Sequence, residues 1–234
     1  MESIIATELI NFLQFHNLIT KHQHGFLKKH STCTNLLETL NDWTISLSKH
    51  NSVVVAYIDF ARAFDSISFS KLICKLTSYG ISGNLLFWIS AFLTGRSQRV
   101  RVGCTMSTSC PVSSGVPQGS VLGPLLFNIF VNDITDKLGS DVTAKLFADD
   151  VKLYTQLLNS SSVFNFQHNL NIIQKWSSDW QLNISLSKCN LFELGHSSSS
   201  PSFFLSAISI LYTNSVRDFG ITIEPNLLLS PAHK

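Results

Sequence analysis

Charge is scarce in this chain. Asp, Glu, Lys and Arg make up 14% of its 234 residues, where roughly a quarter is usual for a soluble domain. Such a surface suits a segment that docks on other parts of a larger protein, and equally a very compact apolar domain. The net charge is only +2. That excludes the strongly basic footprint of a stand-alone nucleic-acid binder and argues against tight binding by this segment alone. Cysteines are few and scattered. Cys33, Cys74, Cys104, Cys110 and Cys189 contain no pair at zinc-knuckle spacing, so they read as reduced, intracellular thiols. Long apolar runs are missing as well. The longest, Val121 to Val131, is broken by Gly123, Pro124 and Asn128 and is too short to span a bilayer. No basic stretch leads into an apolar one at Met1-Glu2-Ser3, so no signal peptide is evident. An intracellular protein of nucleus or cytoplasm, off the membrane, is expected, and the sequons at Asn159 and Asn183 then carry no meaning. No internal repeat is visible.

What is present is 44% apolar residues, laid out in alternating periods. Ile4, Ile5, Leu9, Ile10, Phe12 and Leu13 share one helical face, and Leu36, Leu37, Leu40, Trp43 and Leu47 another, with Ser31 or Thr32 opening the second helix. Val53 to Ile58 is a β-branched run ending at Asp59, the pattern of a buried central strand. Ser68 opens a helix with Phe69, Leu72, Ile73, Leu76 and Tyr79 inward, closed by Gly80, and a shorter one carries Leu85, Trp88, Ile89 and Phe92. From Ser97 to Val102, Val100 and Val102 alternate with Arg99 and Arg101. A loop rich in turn formers, Ser113 to Ser120, leads to a helix capped by Ser120 and running through Leu125 to Ile134. Ala144–Phe147 and Val151–Tyr154 read as a hairpin with Asp149 and Asp150 at its tip. A helix from Val163 to Trp180 follows, then strands at 191–194 and 219–223, with the serines 197–200 as a flexible turn between them. Helices and strands in irregular order point to α+β.

If the strand ending at Asp59 pairs beside that hairpin, three carboxylates cluster. Clustered carboxylates repel unless a cation neutralises them. Mg²⁺ suits oxygen ligands and substrate phosphates, and two such ions can clamp the attacking and leaving oxygens of a phosphoryl displacement, which points to nucleotidyl transfer. Residue by residue the plainer readings stay open. Asp59 also suits a strand-end cap and Asp149-Asp150 an ordinary turn pair. Phe64 suits a core aromatic, Gln118-Gly119 a turn, Lys188 a solvated lysine, and Arg99 and Arg101 a solvated strand face.

Three segments taken in order resemble the reverse transcriptases of non-LTR (LINE-like) retrotransposons. They are Ala56-Tyr57-Ile58-Asp59-Phe60-Ala61-Arg62-Ala63-Phe64-Asp65-Ser66-Ile67, Ser114-Gly115-Val116-Pro117-Gln118-Gly119-Ser120-Val121-Leu122-Gly123-Pro124, and Phe147-Ala148-Asp149-Asp150. Similar stretches surround them: His24-Gly25-Phe26, the basic strand 95–102, Trp180 to Cys189, and Val216-Arg217-Asp218-Phe219-Gly220-Ile221. Group II intron maturases are a less similar relative. The resemblance implies an RNA-directed DNA polymerase that adds deoxynucleotides to a primer 3′-hydroxyl with two Mg²⁺ ions, or Mn²⁺. Its partners would be an RNA template, a DNA primer and deoxynucleoside triphosphates. It implies metal ligation by Asp59, Asp149 and Asp150, and general-acid work by Lys188. It puts nucleotide and template contacts at Phe60, Phe64, Gln118, Gly119, Arg99 and Arg101, with Phe64 under the incoming sugar.

The fold it implies is a palm-like antiparallel sheet packed on helices. Pre-palm and partial-fingers helices fall at 1–50, the palm at 51–195 with a fingers insertion at about 80–113, and a primer-grip region at 196–234. The family's Arg-Pro-Ile-Ser-like fingers segment, its complete thumb, its endonuclease and its zinc knuckle are not recognised in this sequence. A piece of a longer polyprotein is therefore expected. So is weak or absent activity for the segment alone. The alternative is an inactive or co-opted fragment that at most binds nucleic acid.

Overall fold

The computed structural model describes residues 1–195 and 200–227, and the backbone alone of 229–231. Most of the serine turn expected at 197–200 lies outside the described residues. The chain opens with helices α1 (Glu2–Phe15) and α2 (Thr32–Ser48), strand β1 (Ser52–Ile58), and helices α3 (Ala63–Ser66), α4 (Phe69–Ser78) and α5 (Gly83–Leu93). Four two-residue strands follow, β2 (Ser97–Gln98), β3 (Arg101–Val102), β4 (Thr105–Met106) and β5 (Cys110–Pro111). Then come α6 (Gly123–Val131), a 3₁₀ turn (Asn132–Thr135), β6 (Thr143–Phe147), β7 (Asp150–Leu157), α7 (Ser160–Trp180) and β8 (Asn190–Leu194). The last elements are β9 (Phe204–Leu205), β10 (Ile208–Ser209), β11 (Leu211–Thr213), β12 (Val216–Asp218), β13 (Ile221–Ile223) and β14 (Leu229–Pro231).

Two compact units divide these elements. One comprises residues 1–19, 62–132 and 180–182, the other 20–61, 133–179 and 183–234. The second is built on a five-stranded sheet ordered β11-β8-β1-β7-β6. Its pairings are antiparallel except at the edge, where β11 runs parallel to β8. The α+β expectation holds, and the sheet is antiparallel through its centre. β1 is paired on both edges and covered on both faces: Val53, Val54, Val55 and Ala56 are each at most 1% exposed. Branched side chains fit such a strand because it has no wet face to serve. On one face Val53 and Val55 join Leu36, Trp43, Tyr154, Phe192 and Leu194, with Val216 and Ile223 of the small β12-β13-β14 sheet.

Helix α2 starts where the sequence predicts, for a local reason. Ser31 Oγ accepts the Thr34 N–H (3.1 Å), and Thr34 Oγ1 accepts the Ser31 N–H (2.9 Å), a reciprocal cap. Its inner face is more polar than its leucines suggested. Leu37 is 61% exposed while Asn35, Thr39 and Ser46 are buried. The reason is at Asn35, whose Nδ2 donates to the Leu146 carbonyl (3.2 Å), so a strand end is what this face meets.

In the first unit α4 packs on α5 and α6 through Leu72 and Leu76. Ser120 does help start α6: its Oγ accepts the Gly123 N–H at 2.9 Å. Lys75, on the inner face of α4, is buried. Its ammonium donates to the Phe130 carbonyl near the end of α6 and sits 3.7 Å over the Trp180 ring. The strand expected from 97 to 102 is instead split into two-residue pieces, β2 with β5 and β3 with β4. Val100 and Val102 are 66% and 75% exposed, so the alternation there marks a solvated ribbon with no buried face.

Candidate active site

The acids arrive by register. β1 and β7 are antiparallel with Ile58 opposite Val151, so one step further along each strand sets Asp59 beside Asp150. β6 and β7 close at the pair Phe147 and Asp150, leaving Ala148 and Asp149 as a two-residue turn. Ala148 takes φ +56°, the left-handed region where hairpins of this length usually carry glycine. Asp59 is held from the other side too. Its carbonyl accepts the Ser185 N–H (2.8 Å), and the Ala61 N–H donates to the Asn183 carbonyl (2.8 Å). The turn from Ser185 to Cys189 then brings the Lys188 ammonium to 3.3 Å from Asp59 Oδ1. That oxygen is buried and has no hydrogen bond.

Electrostatics record the crowding. Burial raises the Asp149 pKa, and the Asp59 charge adds to it, against the turn's own N–H and Lys188. Burial pushes Asp150 up to about 6, reinforced by Asp149, Asp59 and Asp218 and opposed by Lys152. Like charges held this close favour protonation or a cation. Among the described residues, no group of three or more His, Cys, Asp or Glu side chains stands close enough together to hold a metal ion; Asp59 faces Lys188 instead. The donors are nonetheless all carboxylate oxygens, one of them buried without a hydrogen bond, and that set suits a hard divalent cation. Beside Asp59 and Asp150 lies a cavity of about 170 Å³, walled by Lys145, Lys188, Arg217 and Phe219.

This crowding makes a stability prediction. In chelator, Asp150→Asn should raise Tm at pH 7. The folded pKa lies above the unfolded one, so ionisation opposes folding, fully above about pH 6, and the penalty fades as pH falls towards 4. Asp150 stays partly open to solvent at the tip, though its carboxyl is crowded by the turn, so screening holds the gain below about 1 kcal/mol, or a rise of about 1–3 °C. Thermal melts at pH 7 and pH 4 check it, and a gain of equal size at both would mean the carboxylates do not repel.

The second motif folds onto the first within the other unit. The Val116 N–H donates to the Phe64 carbonyl (2.8 Å), and Gln118 Nε2 donates to Asp65 Oδ1 (2.7 Å). Gly115 must be glycine, because a Cβ there would stand 2.7 Å from the Asp65 backbone. Phe64 is half-buried and stacks on Phe127, ring centroids 4.2 Å apart. Gln118, Gly119, Arg99 and Arg101 are exposed. Phe60 corrects an expectation: its side chain is 3% exposed and packs towards Trp176, centroids 6.1 Å apart, so it belongs to the core rather than to a nucleotide surface. It is large, apolar and in step with a buried strand, and core packing claims it.

Residues 1–223 match the family described as reverse transcriptase (RNA-dependent DNA polymerase). The chain belongs to the reverse transcriptase family. The RNA-directed DNA polymerase of mobile element jockey from Drosophila melanogaster is 29% identical to it, over 98% of this chain and 26% of that protein. The probable polymerase of transposon X-element from the same fly is 25% identical, again over 98% of this chain and 26% of its own length. This reverse transcriptase chain thus spans about a quarter of the length of these curated relatives. Among solved structures, apo telomerase from Candida tropicalis overlays with a TM-score of 0.68 at 11% identity, over 99% of this chain and 41% of the other. That likeness speaks to the fold alone.

Two groups in this reverse transcriptase segment escaped the sequence reading. Lys152, Asp218 and Tyr57 form a buried cluster next to Asp150, in which Lys152 pairs with Asp218 Oδ2 and the Tyr57 hydroxyl donates to the same oxygen at 3.1 Å. A lysine inside the otherwise apolar run 151–154 was the available signal. Gln23 gave no signal at all. Among the described residues no helix is long and apolar enough to cross a membrane.

Proposed function

We propose that this chain is the catalytic palm segment of a retrotransposon polymerase that copies RNA into DNA by two-metal nucleotidyl transfer. The observation that carries the reading is the β1–β7 register, which sets Asp59 beside Asp150 with Asp149 in the adjoining turn, and the mutual repulsion of the three, which a cation would relieve. Mg²⁺, or Mn²⁺, held there would supply charge to activate a primer 3′-hydroxyl and steady a departing pyrophosphate.

The chain's own residues have distinct tasks in this reading. Asp59, Asp149 and Asp150 ligate. Lys188, 3.3 Å from Asp59 and largely exposed, delivers a proton to the leaving group. Gln118, whose amide nitrogen donates to Asp65, meets the nucleotide and template. Gly119, with open space around it, lets that partner approach closely. Arg99 and Arg101, exposed on their ribbon, meet template phosphates. The partners are an RNA template, a DNA primer and deoxynucleoside triphosphates. In polymerase terms, residues 1–50 serve as pre-palm and partial fingers, 51–195 as the palm with its fingers insertion at about 80–113, and 196–234 as the primer-grip region, all within a longer polyprotein.

Deoxynucleotide incorporation on a primed RNA homopolymer, with and without Mg²⁺, tests the reading. Slow, Mg²⁺-dependent addition is expected from the chain alone. Equal incorporation in chelator would end the two-metal reading, and robust processive extension would end the view that missing segments are needed to hold substrate. Sugar choice gives a second test. Phe64→Ala should relax discrimination against ribonucleotides by about 10- to 100-fold, the scale set by one steric contact in a pocket. Paired kcat/KM values for ribo- and deoxynucleotides measure it, and unchanged discrimination removes Phe64 from the sugar site.

A further inference from the structure

Gln23 lies outside the motifs that carry the family resemblance, yet it is 2% exposed and grips the hairpin tip. Its Oε1 accepts the Ala148 N–H (2.9 Å) and the Gly25 N–H (2.7 Å), while its Nε2 donates to the Ala148 carbonyl (3.4 Å). One side-chain amide thus answers both polar groups of a single residue, as a neighbouring strand would. The backbone carrying it is fixed on the hairpin in the same way. Leu146 donates to the His22 carbonyl (2.9 Å) and accepts the His24 N–H (2.8 Å), a parallel bridge at Gln23. Gly25 is the closest approach: a Cβ there would stand 2.4 Å from the Ala148 nitrogen.

What this grip holds is the least comfortable residue of the turn. Ala148 sits at φ +56° without being glycine, a conformation that persists only when its surroundings over-determine it. It is also the residue directly before Asp149, so rotation of its peptide would re-aim both acids. We infer that Gln23 is a positioning residue for Asp149 and Asp150: it locks the left-handed Ala148 peptide and so presets the two carboxylates for metal. The inference rests on the metal-site reading above. The chemistry selects glutamine. An apolar side chain would leave the buried Ala148 N–H unpaired, and a carboxylate would lose the donor and add a negative charge beside three others.

Two readouts on the 234-residue chain test it. The first is amide exchange, which needs no metal. The Ala148 amide should exchange slowly in the wild type and about 100-fold faster in Gln23→Met, with Val54 and Leu153 in the central strands unchanged. Gln23→Glu keeps an acceptor and should keep Ala148 slow. The second is Mn²⁺ affinity by electron paramagnetic resonance. Gln23→Met should weaken it by about 10- to 100-fold, the usual cost of losing a residue that orients ligands. Should Gln23→Met fail to fold, Gln23→Asn, one methylene shorter, carries both readouts. Unchanged Ala148 exchange in the variant overturns the grip. Faster exchange with unchanged Mn²⁺ affinity overturns the positioning role. Wild-type Mn²⁺ binding that does not weaken in Asp149→Asn overturns the metal-site reading itself, and the positioning role with it, whatever the exchange data report of the grip.

Discussion

Asp149→Asn should lower deoxynucleotide incorporation by about a thousandfold or more. The asparagine keeps the size of the side chain and its place in the turn, so the hairpin stands, but one of the three carboxylates proposed as ligands is gone. Losing a ligand from a two-metal site removes several kcal/mol of transition-state stabilisation, and about 4 kcal/mol corresponds to a thousandfold in rate. Folding should not suffer, because burial and the Asp59 charge already disfavour the ionised aspartate. Lost catalysis with an unchanged or slightly raised Tm therefore distinguishes a ligand from a structural turn residue. The chain spans about a quarter of its curated relatives, so its absolute rate is expected to be low, and the ratio of variant to wild type under single turnover is the quantity to read. An Asp149→Asn variant retaining a tenth of the activity would remove Asp149 from the chemistry.

Lys152→Met should be the most destabilising single change near the site. Lys152 and Asp218 are each 4% exposed in their side chains and are paired, and the Tyr57 hydroxyl also donates to Asp218 (3.1 Å). Removing the lysine strands a buried carboxylate, which costs about 3–5 kcal/mol and should lower Tm by roughly 10 °C in a chain of this size. The pair itself is a different matter. Burial lowers the Lys152 pKa even though Asp218 and Asp150 pull the other way, so desolvation outweighs attraction. The double variant Lys152→Met/Asp218→Leu should accordingly recover most of the loss, as apolar replacements of buried pairs often do. Urea denaturation of the two single variants and the double one measures the coupling. If Lys152→Met costs under about 1 kcal/mol, the pair contributes no more than a surface one, and the burial described here is not what governs it.

Asp149 in the turn and Lys152 on β7 differ in how they can be read. Asp149 and Asp150 by themselves read as an ordinary turn pair, and they became legible because they occur in order with the segments at 56–67 and 114–124. The central strand at 53–58 and its burial were legible for the same local reason, an unbroken β-branched run. The reverse transcriptase family followed from those motifs and is borne out over residues 1–223. Lys152 was passed over because a lysine in a strand reads as a wet position unless its partner is known, and Asp218 lies 66 residues away. Phe60 was misassigned because the motif names a neighbourhood, while the packing towards Trp176 assigns the side chain. Val100 and Val102 misled in the other direction: alternation signals a buried face only where another layer covers it, and here none does.

By itself the sequence determined the family, the α+β class and the central strand, since each is written in short local stretches of the chain, and it singled out the three acids as candidates. Only the tertiary structure decided that Gln23 clasps the Ala148 peptide, that Lys152 is buried against Asp218, and that Lys188 stands beside Asp59. Those contacts join distant stretches of chain, and their strength comes from burial and hydrogen-bond geometry that appear only once the strands have paired.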